Sequence, residues 1–234
     1  MCVAAEKEPA RQSVKIAIIG AGRVGGALGT ALRPKGHDIV YGVRAPERSQ
    51  EHNAKSVAGA ISGSDVVIIA TPWSAAESLV CEHAWSLAGK ILIDATNPLN
   101  PNASGLAVGF DTSGAEMLQS QAPEARVFKA FNSVGADVLA NPRFADTSAA
   151  MFVAGPEGAE KKKVMALVTE VGFDAVDAGP LKSARLLEPL AMLCLQTAQA
   201  RKDPSFALLL GKRAGGQRRA LHFEAARDPV ESLP

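Results

Sequence analysis

Lys15-Ile16-Ala17-Ile18-Ile19-Gly20-Ala21-Gly22-Arg23-Val24-Gly25 is an apolar run that breaks into a Gly-x-Gly-x-x-Gly turn, and the segment after it reads as a helix to about Arg33, ended by Pro34-Lys35-Gly36. A strand that enters a helix through such a turn is built for an anion. Gly20 allows the tight turn, Gly22 lets the backbone approach a pyrophosphate, and Gly25 permits close packing of helix on strand. The first N–H groups of the helix then face the phosphates.

On either side of this turn, continuous apolar runs alternate with helical stretches, as parallel strands covered on both faces require. Strands are expected at Val14–Ile19, Asp38–Gly42, Val66–Ala70, Ile91–Ala95, Val127–Phe131, Ala149–Ala154 and Phe173–Asp177. A loop containing Pro46 and a helical stretch fill 46–63, with room for a short strand near Ala54–Val57 that completes a set of eight. Helices are expected around 74–87 and 112–121, from Glu157 to Val171, and from Leu181 to Ala200. The fold class is therefore α/β, a Rossmann-type doubly wound, mostly parallel sheet with a short C-terminal helical part. The expected organisation is a disordered lead-in over 1–13, a nucleotide-binding domain over 14–180, a helical dimerisation part over 181–213 and a flexible tail over 214–234. The last helix carries Leu186, Leu187, Leu190, Leu193, Cys194 and Leu195, an apolar surface wider than one stripe, which suits burial or a homodimer contact through residues 181–200.

The end of the second strand selects the nucleotide. An NAD site places an acid there, about 20 residues past the glycine turn, to bind the ribose 2′-hydroxyl. This chain has Val43-Arg44, followed by Arg48, with no acid at the strand end. Two guanidinium groups four residues apart suit bidentate contact with a 2′-phosphate, which points to NADP; solvated loop charges are the alternative.

Ligands of such sheets lie outside the carboxyl ends of the strands. Leaving the strands there are Thr71-Pro72-Trp73, Thr96-Asn97-Pro98 and Asn132-Ser133. Pro72 and Pro98 fix extended turns, and Asn97 and Asn132 offer donor and acceptor to a nicotinamide amide or ribose, or cap local turns. Trp73 either flanks a planar ring or packs. None of His37, His52, His83 and His222 stands at the carboxyl end of an expected strand, and Asp94 and Lys129 are the ionisable residues close to it, with a paired structural role as the default reading. A carbonyl reductase needs a positioned proton donor, and none stands out. Hydride transfer to a planar cofactor-like ring needs none, because the ring chemistry belongs to the cofactor.

Composition narrows the classes further. With 234 residues the chain fits one large domain with a small appendage. Its 25 Lys+Arg against 24 Asp+Glu provide no field for nucleic acid or an anionic membrane. No apolar run approaches the length of about 20 residues that spans a bilayer. Cys2, Cys81 and Cys194 have no metal-ligand spacing and suit a reducing cytoplasm, and Met1–Ser13 lacks the apolar region of a signal peptide. Residues 201–234 hold seven Lys+Arg against four Asp+Glu, a mildly basic tail read as flexible.

The chain resembles the NADPH-dependent deazaflavin reductases, the coenzyme F420-dependent NADP oxidoreductases. The resemblance rests on Lys15–Gly20 with its glycine turn, Gly36-His37-Asp38, Gly42-Val43-Arg44, Thr71-Pro72-Trp73, Lys129-Ala130-Phe131-Asn132-Ser133, and Asp177-Ala178-Gly179-Pro180-Leu181 running into Ala184-Arg185-Leu186-Leu187-Glu188. The oxidoreductase domain of the Steap metalloreductases is similar as well. The resemblance implies a homodimer that binds NADP, with its nicotinamide facing a deazaflavin (coenzyme F420) or a flavin. It places pyrophosphate contacts on Gly22, Arg23, Val24 and Gly25, 2′-phosphate contacts on Arg44 and Arg48, and nicotinamide-side loops on Thr71, Pro72, Trp73, Asn97, Pro98 and Asn132. Val43 departs from the Ser or Thr frequent in the family. The alternatives are an imine or carbonyl reductase and a non-catalytic NADP sensor.

Overall fold

Ile16 and Ile18 of β1 (Lys15–Ile19) point to one face of a sheet and Ala17 and Ile19 to the other, and all four are wholly buried. In this computed structural model, which describes residues 13–211, apolar layers cover both faces. The remaining elements follow as α1 (Arg23–Leu32), β2 (Asp38–Gly42), β3 (Ala54–Lys55), α2 (Val57–Ser62), β4 (Val66–Ile69), α3 (Trp73–Glu82), α4 (Ala84–Leu87) and β5 (Ile91–Asp94). After them come α5 (Gly114–Gln121), β6 (Arg126–Lys129), α6 (Ala136–Ala140), β7 (Arg143–Phe144), β8 (Thr147–Ser148), β9 (Ala150–Val153), α7 (Ala159–Val171), β10 (Asp174–Asp177) and α8 (Ala184–Arg201).

Six strands form one parallel sheet in the order β3-β2-β1-β4-β5-β6, the doubly wound arrangement. One face packs on Leu28 and Leu32 of α1, Val138 and Leu139 of α6, and Val164, Leu167 and Val168 of α7. The other packs on Ile61 of α2, Ala76 and Val80 of α3, Leu87 of α4, Leu118 of α5 and Ala184 of α8. Burying one such isoleucine or leucine contributes about 1.5–3 kcal/mol, so the two layers fix the register of every strand.

Three expectations are corrected. The eight strands do not make one sheet: β9 and β10 pair with each other in parallel and join the main sheet only through an antiparallel bridge between Lys129 and Ala154. The stretch over 46–63 holds the expected loop, short strand and helical segment, as a 3-10 turn at Pro46–Arg48, then β3, then the six residues of α2. The helix around 74–87 breaks at His83 into α3 and α4, and the last helix starts with a 3-10 turn at Leu181–Ser183. The hairpin β7–β8 and helix α6 carry too few residues for a periodic signal. The lead-in expected over 1–13, except Ser13, and the tail expected over 214–234 lie outside the described residues.

Candidate nucleotide and active site

The glycine turn has the geometry its sequence requires. Gly20 sits at φ +106°, and a Cβ there would come 2.7 Å from the carbonyl oxygen of Ala70. A Cβ on buried Gly25 would run into the Gly20 carbonyl. Gly22 differs: its φ of −80° is open to any residue, and a Cβ would meet nothing within 4 Å. That open space lies at the N-terminus of α1, which has no side-chain cap and no acid in its first turn. Its leading N–H groups therefore remain for an anion. Beside the turn, at the end of β4, the Thr71 hydroxyl is buried with no hydrogen-bond partner. A cleared Gly22, an uncapped helix and an orphaned hydroxyl fit a bound dinucleotide.

The two expected phosphate-binding arginines do not line one hollow. Arg48 shares a hollow of about 340 Å³ with Ala21, Val43 and Glu51. Arg44 lines a neighbouring one of about 480 Å³ with Val57, Ala75, Leu79 and His83, and Val43 is the wall between them. Val43 is held by its N–H donating to the Lys55 carbonyl at 2.9 Å. Glu51 was hidden from sequence reasoning because the loop folds it back onto the turn.

At the carboxyl ends of β5 and β6, Asn97 and Asn132 clamp each other. Asn97 Nδ2 donates to the Asn132 carbonyl at 2.7 Å, and Asn132 Nδ2 donates to Asn97 Oδ1 at 3.0 Å and to the Leu187 carbonyl at 3.1 Å. Among the described residues Asn132 Oδ1 has no hydrogen-bond partner, and Asn132 lines the adjoining cavity. Phe131, just before it, adopts φ +63°, a left-handed conformation that costs a bulky residue about 1–3 kcal/mol and clusters at functional sites. The kink ends β6 two residues earlier than its apolar run and turns the Phe131 N–H onto Met151 Sδ at 3.1 Å.

Both amides line a cavity of about 330 Å³, closed by Arg23 and Asp137 on one side and by Ala191, Cys194, Ala198 and Phe206 on the other. Arg23 is drawn there by Asp137, with Nη2 3.2 Å from Oδ1. It thus lines this cavity from the glycine turn. Burial pushes the Cys194 thiol up, so it stays protonated. Trp73 is not in this cavity; its half-buried indole lies over Gly114 at the start of α5, where a Cβ would come within 3.0 Å of the ring. Pro72 is extended, at φ −55° and ψ 144°, and leads directly into α3, while buried Pro98 accepts the Ala107 N–H at 2.7 Å.

Asp94 and Lys129 take the structural role. Lys129 Nζ lies 2.8 Å from Asp94 Oδ2, 2.7 Å from Glu188 Oε1 and 2.7 Å from the Thr96 carbonyl, with all three charged side chains wholly buried. Its three protons are satisfied. Asp94 Oδ1 also accepts from the Thr96 N–H and hydroxyl, and Glu188 accepts the Gly114 and Ala115 N–H groups at the head of α5. Glu188 was missed, although a lone acid inside Leu186-Leu187-Glu188-Pro189-Leu190 is the signal of a buried partner.

The chain is similar to known reductases in sequence and in fold. The family model described as NADP oxidoreductase coenzyme F420-dependent matches residues 15–98. Metalloreductase STEAP3 of Rattus norvegicus is 31% identical over 194 residues, which are 80% of this chain and 38% of the relative, so the chain spans well under half of that protein. The F420-dependent NADP reductase of Methanothermobacter marburgensis is 27% identical over 78% of this chain and 91% of its own length. The crystal structure of a candidate F420-dependent NADP reductase from Arthrobacter sp. superposes with a TM-score of 0.78 at 27% identity, covering 86% of this chain and all of that one. The chain is thus similar, in sequence across residues 15–98 and in fold across most of its length, to the coenzyme F420-dependent NADP oxidoreductases.

Proposed function

We propose that the chain is an NADP-dependent oxidoreductase that passes a hydride between the nicotinamide and a planar acceptor, a deazaflavin of the coenzyme F420 type or a flavin. The observation that carries this reading is the chemistry of the 330 Å³ cavity: its two charged lining side chains, Arg23 and Asp137, are spent on each other. Asp94 and Lys129, the ionisable residues at the nearby strand ends, are saturated and wholly buried. A carbonyl or imine reductase needs a placed proton donor. The Cys194 thiol and the Ser133 hydroxyl are weak candidates for that role.

The bound nicotinamide supplies the hydride; the protein supplies position. The uncapped head of α1 and the Thr71 hydroxyl hold the pyrophosphate, Arg48 meets the 2′-phosphate, and Asn132 Oδ1 accepts from the nicotinamide amide. The clamp between Asn97 and Asn132 keeps that oxygen fixed before substrate arrives, which is where such a site gains rate. Phe206, the aromatic residue of the cavity wall, covers the far face of the acceptor ring.

The exposed leucines of α8 belong to a second copy in this reading. Leu186 and Leu193 are 70% and 59% exposed and lie seven residues apart, on one helix face. No described helix is long and apolar enough to cross a membrane, and free Cys81 and Cys194 suit a reducing compartment such as the cytoplasm. Purified protein should oxidise NADPH with coenzyme F420, FMN or FAD, followed at the nicotinamide absorbance. Turnover with cyclic imines alone sinks the acceptor assignment, and binding without turnover on any acceptor favours a sensor.

A further inference from the structure

The hollow beside the glycine turn holds an acid that the end of β2 lacks. Glu51 lines the same 340 Å³ space as Arg48, Ala21 and Val43. Its Oε1 lies 4.0 Å from where a Gly26 Cβ would stand, so the carboxylate rests against the first turns of α1. The loop sets it there: the Glu51 N–H donates to Ser49 Oγ at 3.2 Å, and the Tyr41 N–H ties the loop to β2 through the Asn53 carbonyl at 2.9 Å. Among the described residues the half-buried Glu51 carboxylate has neither a hydrogen-bond nor an ion-pair partner, and the Arg48 guanidinium has none either. The carboxylate is felt nearby, since burial and then the Glu51 charge push the Tyr41 phenol up, against an opposing pull from Arg33.

We propose that Glu51 is a specificity-determining residue that accepts a hydrogen bond from the 2′-hydroxyl of an unphosphorylated adenosine ribose, so that the hollow takes NADH as well as NADPH. The inference rests on the dinucleotide reading above and refines it. A carboxylate that accepts from a ribose hydroxyl is the chemistry of an NAD site, and a guanidinium is that of a 2′-phosphate. Here the two line one hollow without pairing. A 2′-phosphate would meet Arg48 favourably and Glu51 unfavourably, whereas a 2′-hydroxyl needs only Glu51. The balance of these two side chains, and not the strand-end residue Val43, sets the preference.

Nucleotide fluorescence titrations of NADPH and NADH on the full chain, on Glu51→Gln and on Arg48→Ala test this. Charge-assisted hydrogen bonds of this kind correspond to roughly ten-fold in affinity, so Glu51→Gln should weaken NADH about ten-fold and tighten NADPH. Arg48→Ala should do the reverse. If Glu51→Gln leaves the NADPH-to-NADH ratio within about two-fold of the parent while both nucleotides bind, the assignment of Glu51 is overturned. Failure of the parent chain to bind either nucleotide overturns the dinucleotide reading instead, and Glu51→Asp, which keeps the charge, should retain NADH binding better than Glu51→Gln.

Discussion

Glu188 of α8 reaches Lys129 at the end of β6, with Oε1 2.7 Å from Nζ and both side chains wholly buried. The same lysine holds Asp94 at the end of β5, so one cation pins two strand ends of the nucleotide sheet and the helix that closes the cavity. Glu188 passes the link on to α5 by capping its first N–H groups. The cavity wall made by α8 is thus fixed to the strand ends through buried charge.

Removing the cation should therefore damage the fold rather than the chemistry. Lys129→Met leaves two carboxylates buried without a counter-charge, a change that costs about 3–5 kcal/mol. Urea unfolding reads it, and a loss below about 1 kcal/mol would mean that the interior charge is compensated elsewhere.

Two glycines of one turn should behave oppositely. Gly22→Ala meets no protein atom within 4 Å. It should cost the fold no more than about 1 kcal/mol, the penalty of a poorer helix cap, yet weaken NADPH strongly by filling the pyrophosphate space. Gly25→Ala drives a methyl into the Gly20 carbonyl and should destabilise the protein by about 1–3 kcal/mol. Parallel melts and nucleotide titrations separate the two, and equal melting losses would contradict the open space at Gly22.

Arg44 and Arg48 should also part company. Arg44 lines a slot of mixed character, with Val57, Ala75 and Leu79 beside Ser56, Glu82 and His83, where its guanidinium can stack on a planar base. Arg44→Ala should weaken NADPH and NADH alike, whereas Arg48→Ala should weaken NADPH selectively. Selective loss of NADPH in both variants would place the two arginines on one phosphate.

Acid should unlock two surface ties. Burial works to raise the Glu116 carboxyl, but hydrogen bonds from Arg185 and Ser113 outweigh it and hold the group below its ordinary range. Asp177 is held down in the same way, with burial overcome by Lys161 and the Gly179 N–H. For a depressed carboxylate the stabilisation is complete above the ordinary value of about 4 and is lost as pH falls through the lower, folded value. Lys161 is raised, with burial overcome by Asp177 and Glu157, so its share is lost instead as pH climbs past the ordinary lysine value of about 10.4. The melting difference between the parent and Glu116→Gln should shrink from pH 7 to pH 3; a constant difference would show that Glu116 does not act through its charge.

The apolar face of α8 makes a prediction about assembly. Leu186→Glu with Leu193→Glu should give a monomer by analytical ultracentrifugation where the parent is a dimer, with the melting temperature little lowered at high dilution. A monomeric parent would return those leucines to the surface of a single chain.

Much of this protein was legible along the chain because its signals are local. The glycine turn is read from eleven consecutive residues, and the covered sheet from continuous apolar runs such as Val66-Val67-Ile68-Ile69. A paired structural role for Asp94 and Lys129 followed from charges in apolar strands, and the fold made them each other's partner. Trp73, the reach of Arg23, and Glu51 were not legible, since each depends on which residue far along the chain comes to lie beside it: Gly114, Asp137 and the glycine turn.

The sequence alone determined the doubly wound sheet and the dinucleotide turn, because strand and turn preferences act between neighbours a few residues apart and apolar periodicity reports burial directly. Only the tertiary structure decided which polar groups are spent on one another. Lys129 with Glu188, Arg23 with Asp137 and Asn97 with Asn132 are separated by 35 residues or more, while Thr71 Oγ1 keeps no partner and Arg48 and Glu51 line one hollow. A hydrogen bond or ion pair acts over a few ångströms, and chain folding, not spacing along the chain, brings such partners within that reach.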